Sequence, residues 1–401
     1  MQPITNGYQQ GVIMSVRKKI VRTMSPEGEQ VETLWWIADY TDSSGLRHQR
    51  RFKHKREALA LHDQMKVAIR AGTHVSLPSD LTVAGVADKW LKRVEANARE
   101  RGTLKSYREH VNLHILPRIG KHKLAKLTKG HIEHFRDGLI SGVGDRPKLS
   151  RPTAAKVLRS LKAMLKVVGC SHLGDGVNIE ISRRDKPKLE VGRDIPTPQE
   201  VARLVKATTN LKLRVLLMTA ASTGLRSSEL RGLPWRYVDL KAGELHVRQR
   251  ADRWNKIGPP KSDSSKRTVP LGNELLHALK EWRIACPKEG ELDLVFPTST
   301  GAVQHHKNML DACEAVMKAA GVVTKAGKPK YALHAFRQFF ASWCINPKER
   351  GGRELQAKVV QTLLGHSSIV MTLDIYGHLF PQGSDRAELD ASEKALFGGV
   401  R

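Results

Sequence analysis

Six side chains in the second half of the chain have the chemistry needed to break and remake a phosphodiester bond. Guanidinium groups bind phosphate oxygens through a planar, charged fork, and imidazole groups transfer protons near neutral pH. A lysine can donate a proton to a leaving oxygen, and a phenol can attack phosphorus when cations and a proton acceptor lie nearby. In chain order the candidates are Arg226, Lys261, His334, Arg337, His366 and Tyr376.

Taken singly, each candidate has an ordinary structural explanation. A histidine and an arginine one turn apart on a helix, such as His334 and Arg337, are more often a surface pair. A tyrosine beside a glycine, such as Tyr376, is more often a half-buried anchor. Lys261 is one of 68 lysines and arginines. A functional interpretation therefore depends on the order and spacing of the whole set.

The order of these residues, with the sequences around them, resembles the catalytic domain of the tyrosine recombinases, the phage integrase family. The segments TGLRSSEL, LHAFRQFFAS and LLGHSSIVMTLDIYGHL look like that family's motifs, and the resemblance covers about residues 197–380. It implies an enzyme that cuts and rejoins DNA at chosen sites through a covalent bond between one tyrosine and the DNA phosphate.

The resemblance gives the central roles to two arginines and the tyrosine. Arg226 and Arg337 would bind the two non-bridging oxygens, where charge accumulates in the transition state. Tyr376 would become linked to the 3′ phosphate, and this linkage keeps the bond energy, so rejoining needs neither ATP nor a metal. The sequence has no phosphate-binding GxxxxGK[ST] loop, and His305 and His306 lack partners at metal-ligand spacing. We therefore expect no cofactor and no metal, and we expect these two histidines to be solvated.

Proton transfer would fall to a lysine and two histidines. By resemblance, Lys261 protonates the departing 5′ oxygen, and His334 and His366 hydrogen-bond the phosphate and help to move the tyrosine proton. Lys266 lies on the same polar turn and could supply the proton instead; the end of the strand pattern favours Lys261. His378 is expected to have a local structural role.

Glu229 follows Arg226 by three residues, at a position where the family usually carries an acidic residue. We interpret Glu229 as a buried support that orients an active-site cation, and not as a base.

The segment around the six candidates is predicted to be a mostly helical domain with a small β-sheet, at residues 197–384. The TPQE sequence at 197–200 is a capping box with proline at the first helical position, which indicates that a domain starts there. Glu244–Gln249 and Arg267–Leu271 look like strands, and the chain from Leu275 to Phe397 is predicted to be mostly helical.

A helical domain is predicted at residues 80–181, where apolar residues recur every three to four positions. Thr128 is a predicted N-cap, and another helix is predicted to open at Ser150. The apolar stripes contain Ala87, Trp90, Leu91, Val94, Ala155, Leu158, Leu161 and Leu165. This domain resembles the family's core-binding domain, which clamps DNA opposite the catalytic domain. Residues 182–196 are basic and contain proline, and are predicted to be an exposed linker.

Residues 1–75 are predicted to form a small three-stranded sheet followed by a helix. Strand patterns occur at Val16–Val21, Leu34–Tyr40 and Leu46–Phe52, with a turn-like stretch at Asp42–Gly45. This part resembles the arm-binding domain of some phage and mobile-element integrases. Cations are concentrated on the third strand and the start of the helix, and we predict nucleic-acid contact for them over a merely solvated face. The predicted DNA-binding residues are Arg47, Arg50, Arg51, Lys53 and Lys55.

The bulk composition agrees with a DNA-binding protein. The 401 residues carry a formal net charge of +28, which implies a polyanionic partner. An anionic membrane is disfavoured because the basic residues do not lie on one long amphipathic helix. No apolar run approaches the roughly 20 residues that span a bilayer, and the segment MQPITNGYQQ at residues 1–10 does not have the apolar core expected of a secretory signal. The cysteines are far apart, without a CxxC pair, which predicts reduced thiols in a cytoplasmic protein. They are Cys170, Cys286, Cys313 and Cys344.

We therefore predict a multidomain α+β integrase of a prophage, genomic island or conjugative element. It would act as a homotetramer on double-stranded DNA attachment sites, associated with the nucleoid, and an accessory DNA-bending or directionality factor is a further candidate partner. By resemblance to the family, residues 385–401, with apolar Leu389, Leu396 and Phe397, would dock onto a neighbouring protomer; packing within the same chain is the alternative. The alternatives are a type IB topoisomerase and a catalytically inactive architectural DNA-binding protein.

Overall fold

The computed structural model divides the chain into two compact units, Met1–Lys186 and Pro187–Arg401. The residues it describes are 14–24, 30–41, 47–70, 80–97, 100–144, 146–182, 188–288, 290–380, 390 and 393–396. The turn predicted at Asp42–Gly45 and the tail residues Leu389 and Phe397 lie outside them. No helix within the described ranges has both the length and the apolar character that crossing a bilayer requires.

The first unit begins with a three-stranded antiparallel sheet of order β1-β2-β3. Its elements are β1 Met14–Met24, β2 Gln30–Thr41, β3 Arg47–Phe52 and the following helix α1 Lys55–Arg70. Aromatic and β-branched residues favour β2 as the central strand, where Ile37 and Ala38 are buried. Helix α1 packs against β2, and its Ala58 is fully buried. The predicted sheet and helix are confirmed.

The rest of the first unit is helical, as predicted. Its helices are α2 Val83–Ala96, α3 Arg101–Glu109, a π-helical stretch His110–Ile115, α4 Leu116–Ile119, α5 Lys129–Ser141 and α6 Arg151–Val167. Apolar side chains of α2 and α6 share one core, with Trp90 and Leu161 inside it. Thr128 caps α5 as predicted. In α6 the fully buried alanine is Ala154, and the predicted Ala155 is only partly buried.

The second unit is mostly helical with small antiparallel sheets, which confirms the predicted architecture. Its helices are α7 Pro198–Ala207, α8 Leu211–Thr223, α9 Ser227–Arg231, α10 Asn273–Ala285, α11 His306–Ala319, α12 His334–Ile345, α13 Ala357–Leu364 and α14 Ile369–Tyr376. Its strands are β4 Val238–Asp239, β5 Glu244–Val247, β6 Arg250–Ala251, β7 Ile257–Gly258 and β8 Arg267–Pro270. One sheet has the order β4-β5-β8, and β6 pairs with β7. Helices α8, α10 and α12 contribute Leu216, Leu279 and Phe336 to the main core.

Helix α7 starts with the predicted capping box. The Thr197 hydroxyl accepts a hydrogen bond from the Glu200 backbone N–H at 3.1 Å, and the Thr197 N–H donates to the Glu200 carboxylate at 2.9 Å. Just before it, Ile195 is fully buried. The exposure predicted for residues 182–196 is therefore wrong at this end, because an apolar side chain is taken into the core. All four cysteines lie in described segments, and each is buried and unpaired.

Candidate active site

Arg337 lies inside the second unit, where its guanidinium group binds two backbone carbonyls. The residue projects from α12 and is 3% exposed. Its Nη1 donates to the Gly224 carbonyl at 2.6 Å, and its Nη2 donates to the Leu364 carbonyl. Burial, together with nearby Arg226 and Arg267, lowers the pKa of Arg337 to about 9. The group therefore stays charged at neutral pH, in a fixed orientation.

Arg226 is anchored beside it. Arg226 is the N-cap residue of α9, and its Nη1 donates to Oε1 of Glu229 at 2.7 Å. Its Nη2 donates to the Gly365 carbonyl at 3.2 Å. Because Arg337 binds the Leu364 carbonyl, the two guanidinium groups are held on consecutive carbonyls of one segment, which we call the Leu364–Gly365 turn. The Arg226 side chain is 34% exposed, so this arginine is open to a ligand.

Two glycines shape the backbone that the arginines bind. Gly224 has a φ of 60° and Gly365 a φ of 63°, and each residue ends a helix in the left-handed conformation. A Cβ atom on Gly224 would lie 2.4 Å from the Phe340 ring, and one on Gly365 would lie 3.1 Å from the Arg267 guanidinium. Glycine is therefore required at both positions for conformation and for space.

Glu229 is a buried carboxylate that connects Arg226 to a third arginine. Arg267, the first residue of β8, donates its Nη2 to Oε2 of Glu229 at 2.8 Å and its Nη1 to Oε1 at 3.3 Å. Burial alone would raise the pKa of Glu229, but the Arg267 and Arg226 charges hold it at about 2, so the carboxylate is ionised. Sequence reasoning anticipated a buried support at Glu229 but missed Arg267, which appears in the sequence only as the start of a strand.

His366 links the Leu364–Gly365 turn to α14, the helix that carries Tyr376. Its Nδ1 and the Thr372 hydroxyl share a hydrogen bond of 2.9 Å. Thr372 and Tyr376 are one helical turn apart, and both are buried. Burial, followed by the charges of nearby arginines, lowers the pKa of His366 to about 4. The imidazole is therefore neutral at pH 7, and it is a weaker base than an ordinary histidine side chain. Thr372 is a second residue that sequence reasoning missed.

Tyr376 itself is 2% exposed and packs in an apolar cluster with Val269, Phe340 and Leu364. Burial raises the pKa of the Tyr376 phenol, and the Arg337 charge opposes this rise. Within the described part of the chain, no residue is hydrogen-bonded to its hydroxyl. The phenol is thus protonated, buried and within electrostatic range of Arg337.

The site carries an excess of positive charge. Among the described site residues, the three arginines Arg226, Arg267 and Arg337 are accompanied by one carboxylate, that of Glu229, so positive charge is in excess. His334 lies at the exposed start of α12, and partial desolvation with the charges of Arg337 and Arg226 lowers its pKa. Such an excess next to two hydrogen-bonding arginines suits a bound anion with two oxygens to share, such as a phosphodiester.

The two candidate lysines are not brought into this cluster. Both lie on the exposed loop between β7 and β8. Lys266 pairs with Asp263 at 2.9 Å, whereas Lys261 forms no hydrogen bond or ion pair with any described residue. The choice between Lys261 and Lys266 as proton donor therefore remains a prediction.

Three further histidines have local partners. His305 caps α11, and its Nδ1 accepts from the Lys307 backbone N–H at 3.3 Å. His306 is partly buried and shares a hydrogen bond of 3.0 Å with the Ser227 hydroxyl. The expectation that both would be solvated is wrong for His306, because α11 and α9 begin close together. His378 lies 2.7 Å from the Leu189 carbonyl, which is the local contact expected of it.

The cations predicted to contact DNA in the first unit do not share one environment. Strand pairing sets Arg47 opposite Thr41 and Arg51 opposite Ile37, so both point to one face while Arg50 points to the other. Arg47 donates its Nε at 2.8 Å to Asp39, which is 5% exposed. The Lys55 ammonium lies over the Trp36 ring, and Lys53 is exposed.

Comparisons with known proteins give matches to a segment of each unit. The model described as "Phage integrase family" matches residues 196–382, and the model described as "Phage integrase, N-terminal SAM-like domain" matches residues 82–140. A protein named tyrosine recombinase XerC-like, from Caldanaerobacter subterraneus subsp. tengcongensis, is 26% identical over 368 residues. That alignment covers 84% of this chain and 88% of the relative.

Two solved structures show the same fold. The Tn1549 transposon integrase in complex with transposon right end DNA has a TM-score of 0.59 at 19% identity, over 79% of this chain and 99% of that one. A lambda integrase tetramer bound to a Holliday junction has a TM-score of 0.52 at 16% identity, over 86% of this chain and 95% of that one. At these identities the likeness concerns the fold alone.

The two matched family models and the aligned recombinase relative define a tyrosine recombinase, an enzyme that recombines DNA. The chain belongs to the phage integrase family.

Proposed function

We propose that this recombinase cleaves and rejoins double-stranded DNA at specific attachment sites through a 3′-phosphotyrosyl intermediate. In this way it integrates and excises a mobile element such as a prophage, a genomic island or a conjugative element. One observation supports the proposal above all others: Arg226 and Arg337 are anchored to consecutive carbonyls of the Leu364–Gly365 turn, beside His366. Two guanidinium groups held side by side offer a ready site for one phosphate.

In the proposed reaction, the Tyr376 oxygen attacks phosphorus, a new P–O bond to the tyrosine forms and the P–O5′ bond breaks. Arg226 and Arg337 offset the charge that grows on the non-bridging oxygens. Burial and the nearby arginine charges lower the pKa of His366, and a bound phosphate offsets the arginine contribution, so that His366, neutral without DNA, accepts the phenol proton. A lysine of the 261–266 loop protonates the 5′ oxygen. Rejoining reverses these steps with another 5′ hydroxyl, and His334 adds a hydrogen bond to the phosphate.

The test is a nicked suicide duplex, in which the short fragment that carries the new 5′ hydroxyl dissociates after cleavage, so that the covalent product accumulates. The duplex is taken from the junctions of the element that carries the gene. The proposal predicts a protein–DNA adduct that survives denaturation, with the DNA 3′ end on Tyr376 by mass spectrometry. A supercoiled plasmid without attachment sites tests the alternative function of a type IB topoisomerase. Complete relaxation of this plasmid by the protein contradicts the proposal. Binding without any adduct supports the inactive architectural protein instead.

The remaining parts of the chain are proposed to hold DNA and partner protomers around the catalytic domain of residues 197–384. Residues 1–75 are assigned as an arm-type DNA-binding domain, residues 80–181 as the core-binding domain and residues 182–196 as the linker. The lambda integrase tetramer on a Holliday junction shares this fold, which supports a homotetramer on DNA.

The tail prediction concerns residues 385–401. The second unit has an apolar cavity of about 430 Å³, and its lining includes Val201, Val205, Met218, Phe339 and Trp343. We propose that this cavity receives the apolar tail of a neighbouring protomer.

Deleting residues 385–401 is expected to abolish recombination between two attachment sites while DNA binding is retained. Val205→Glu, which puts a charge in the cavity, is expected to give the same defect. Recombination by the truncated protein at the wild-type rate excludes the docking role.

The arm prediction separates Arg51 from Arg47. Arg51 is exposed on its strand, so Arg51→Ala is expected to weaken DNA binding. The plot of log K for DNA binding against log salt concentration is expected to become less steep by about 1, because one phosphate contact is lost. Arg47→Ala removes the main partner of Asp39, so it is expected to lower the melting temperature. Arg22→Ala, at an exposed pair with Glu32, is the control with an unchanged slope. An unchanged slope in Arg51→Ala contradicts the assignment of that residue.

A further inference from the structure

Arg267 is a buried arginine that uses three guanidinium nitrogens on four acceptors. Besides its two bonds to Glu229, its Nε donates to the Leu363 carbonyl at 2.7 Å and its Nη1 donates to the Ser265 carbonyl at 3.0 Å. Its side chain is 2% exposed, and that of Glu229 is 3% exposed. Burial of an ion pair is favourable only when such hydrogen bonds satisfy both partners, as they do here.

These acceptors belong to three segments that carry proposed site residues. Glu229 holds the Arg226 side chain and also the Arg226 backbone N–H. Ser265 lies on the 261–266 loop with both candidate lysines. Leu363 comes immediately before the Leu364–Gly365 turn that leads into His366. One planar group therefore connects the start of α9, the lysine loop and the end of α13.

We propose that Arg267 is a positioning residue, which acts through Glu229 to align Arg226 with the scissile phosphate. This inference rests on the proposed strand-transfer function. Arg267 is not assigned a contact with the substrate. Its bonds to the Leu363 and Ser265 carbonyls fix the guanidinium plane, and that plane fixes the carboxylate on which Arg226 depends.

Arginine is needed for this role because of its geometry. A lysine at this position keeps the positive charge near Glu229, but it is a single point of charge and cannot bind both carboxylate oxygens and both carbonyls in one plane. Arg267→Lys therefore removes the alignment while it avoids leaving an uncompensated carboxylate in the interior. Placement errors of about 1 Å at a reacting centre can slow a reaction about 100-fold.

The experiment measures single-turnover cleavage of the nicked suicide duplex at saturating DNA, with DNA affinity and melting temperature measured in parallel. Arg267→Lys is expected to slow cleavage by about 10- to 100-fold with unchanged affinity. Glu229→Gln is expected to slow it similarly, and the double variant is expected to be no slower than the slower single variant. Additive losses, or cleavage by Arg267→Lys at the wild-type rate, overturn the proposal.

Arg231→Lys is the matched control. Arg231 is equally buried and binds the Gln304 and Asp252 carbonyls without touching Glu229. The Arg231→Lys variant is expected to be less stable than the wild type but to cleave bound DNA at the wild-type rate. If it slows cleavage as much as Arg267→Lys, the effect is general destabilisation and the proposal is overturned. If Arg267→Lys does not fold, the test depends on Glu229→Gln. Cleavage by Glu229→Gln at the wild-type rate overturns the proposal that Arg267 acts through Glu229. A wild-type protein that forms no adduct contradicts the proposed function itself.

Discussion

Tyr376→Phe is expected to remove covalent adduct formation on the nicked suicide duplex, with a loss of more than about 10⁴-fold, because the phenylalanine has no nucleophilic oxygen. DNA binding is expected to be unchanged. The ring that packs against Val269, Phe340 and Leu364 is retained, and no described residue depends on the hydroxyl for a hydrogen bond. The measurement is denaturing electrophoresis of the labelled duplex beside a binding titration.

The matched control is Tyr331→Phe. Tyr331 is also a buried tyrosine of the second unit, and its hydroxyl donates to Glu200 at 2.8 Å. Removal of that hydroxyl is expected to reduce stability and to leave adduct formation intact. An adduct that persists in Tyr376→Phe and maps to another side chain shows that the nucleophile has been assigned wrongly.

The second large effect is expected for Arg337→Lys. A lysine cannot bind the Gly224 and Leu364 carbonyls together and also present donors to a phosphate oxygen, since its ammonium group is compact and its stem flexible. The loss of one fixed donor to the developing charge is expected to slow cleavage at saturating DNA by about 10²- to 10³-fold. The measurement is single-turnover cleavage of the same duplex.

Affinity for DNA is expected to change little in this variant, because the formal charge is kept and the chain carries 68 lysines and arginines in all. Arg231→Lys again controls for the loss of a buried guanidinium group. If Arg337→Lys binds DNA weakly but cleaves bound DNA at the wild-type rate, Arg337 contributes to affinity. The assignment of a transition-state contact to Arg337 is then wrong.

Local patterns were enough to predict the elements that carry the site. The capping box of Thr197 and Glu200 depends on residues three apart, and the placement of His334 and Arg337 on one helix depends on a single turn. Strand alternation likewise located β5 and β8. These signals are short in sequence, so no tertiary information was needed to interpret them.

The connections between the elements could not be predicted, because they join residues that are distant in sequence. Arg267 meets Glu229 across 38 positions and the Leu363 carbonyl across 96. In sequence such an arginine cannot be distinguished from a surface cation on a strand. The bond between His366 and Thr372 crosses the start of α14. The choice between the two lysines stays open because neither lysine side chain has a described partner in the cluster.

The first unit shows the same limit. The sequence predicted three strands and a row of cations, but strand register decides which face each cation occupies. Arg47 and Arg51 are separated from Arg50 only by the alternation of β3 against β2. The buried Asp39, which binds Arg47, gave no signal as an acceptor because a carboxylate in a strand is usually solvated.

The anchoring of Arg226 and Arg337 to main-chain oxygens also bears on how this enzyme tolerates sequence drift. A carbonyl is supplied by any residue, so exchanging the side chain at position 364 for another apolar one leaves the anchor for Arg337 in place. The restriction instead falls on Gly224 and Gly365, where any side chain strains the backbone. Libraries of variants of this enzyme should therefore preserve both glycines, and at the buried position 364 they can use apolar side chains of similar volume.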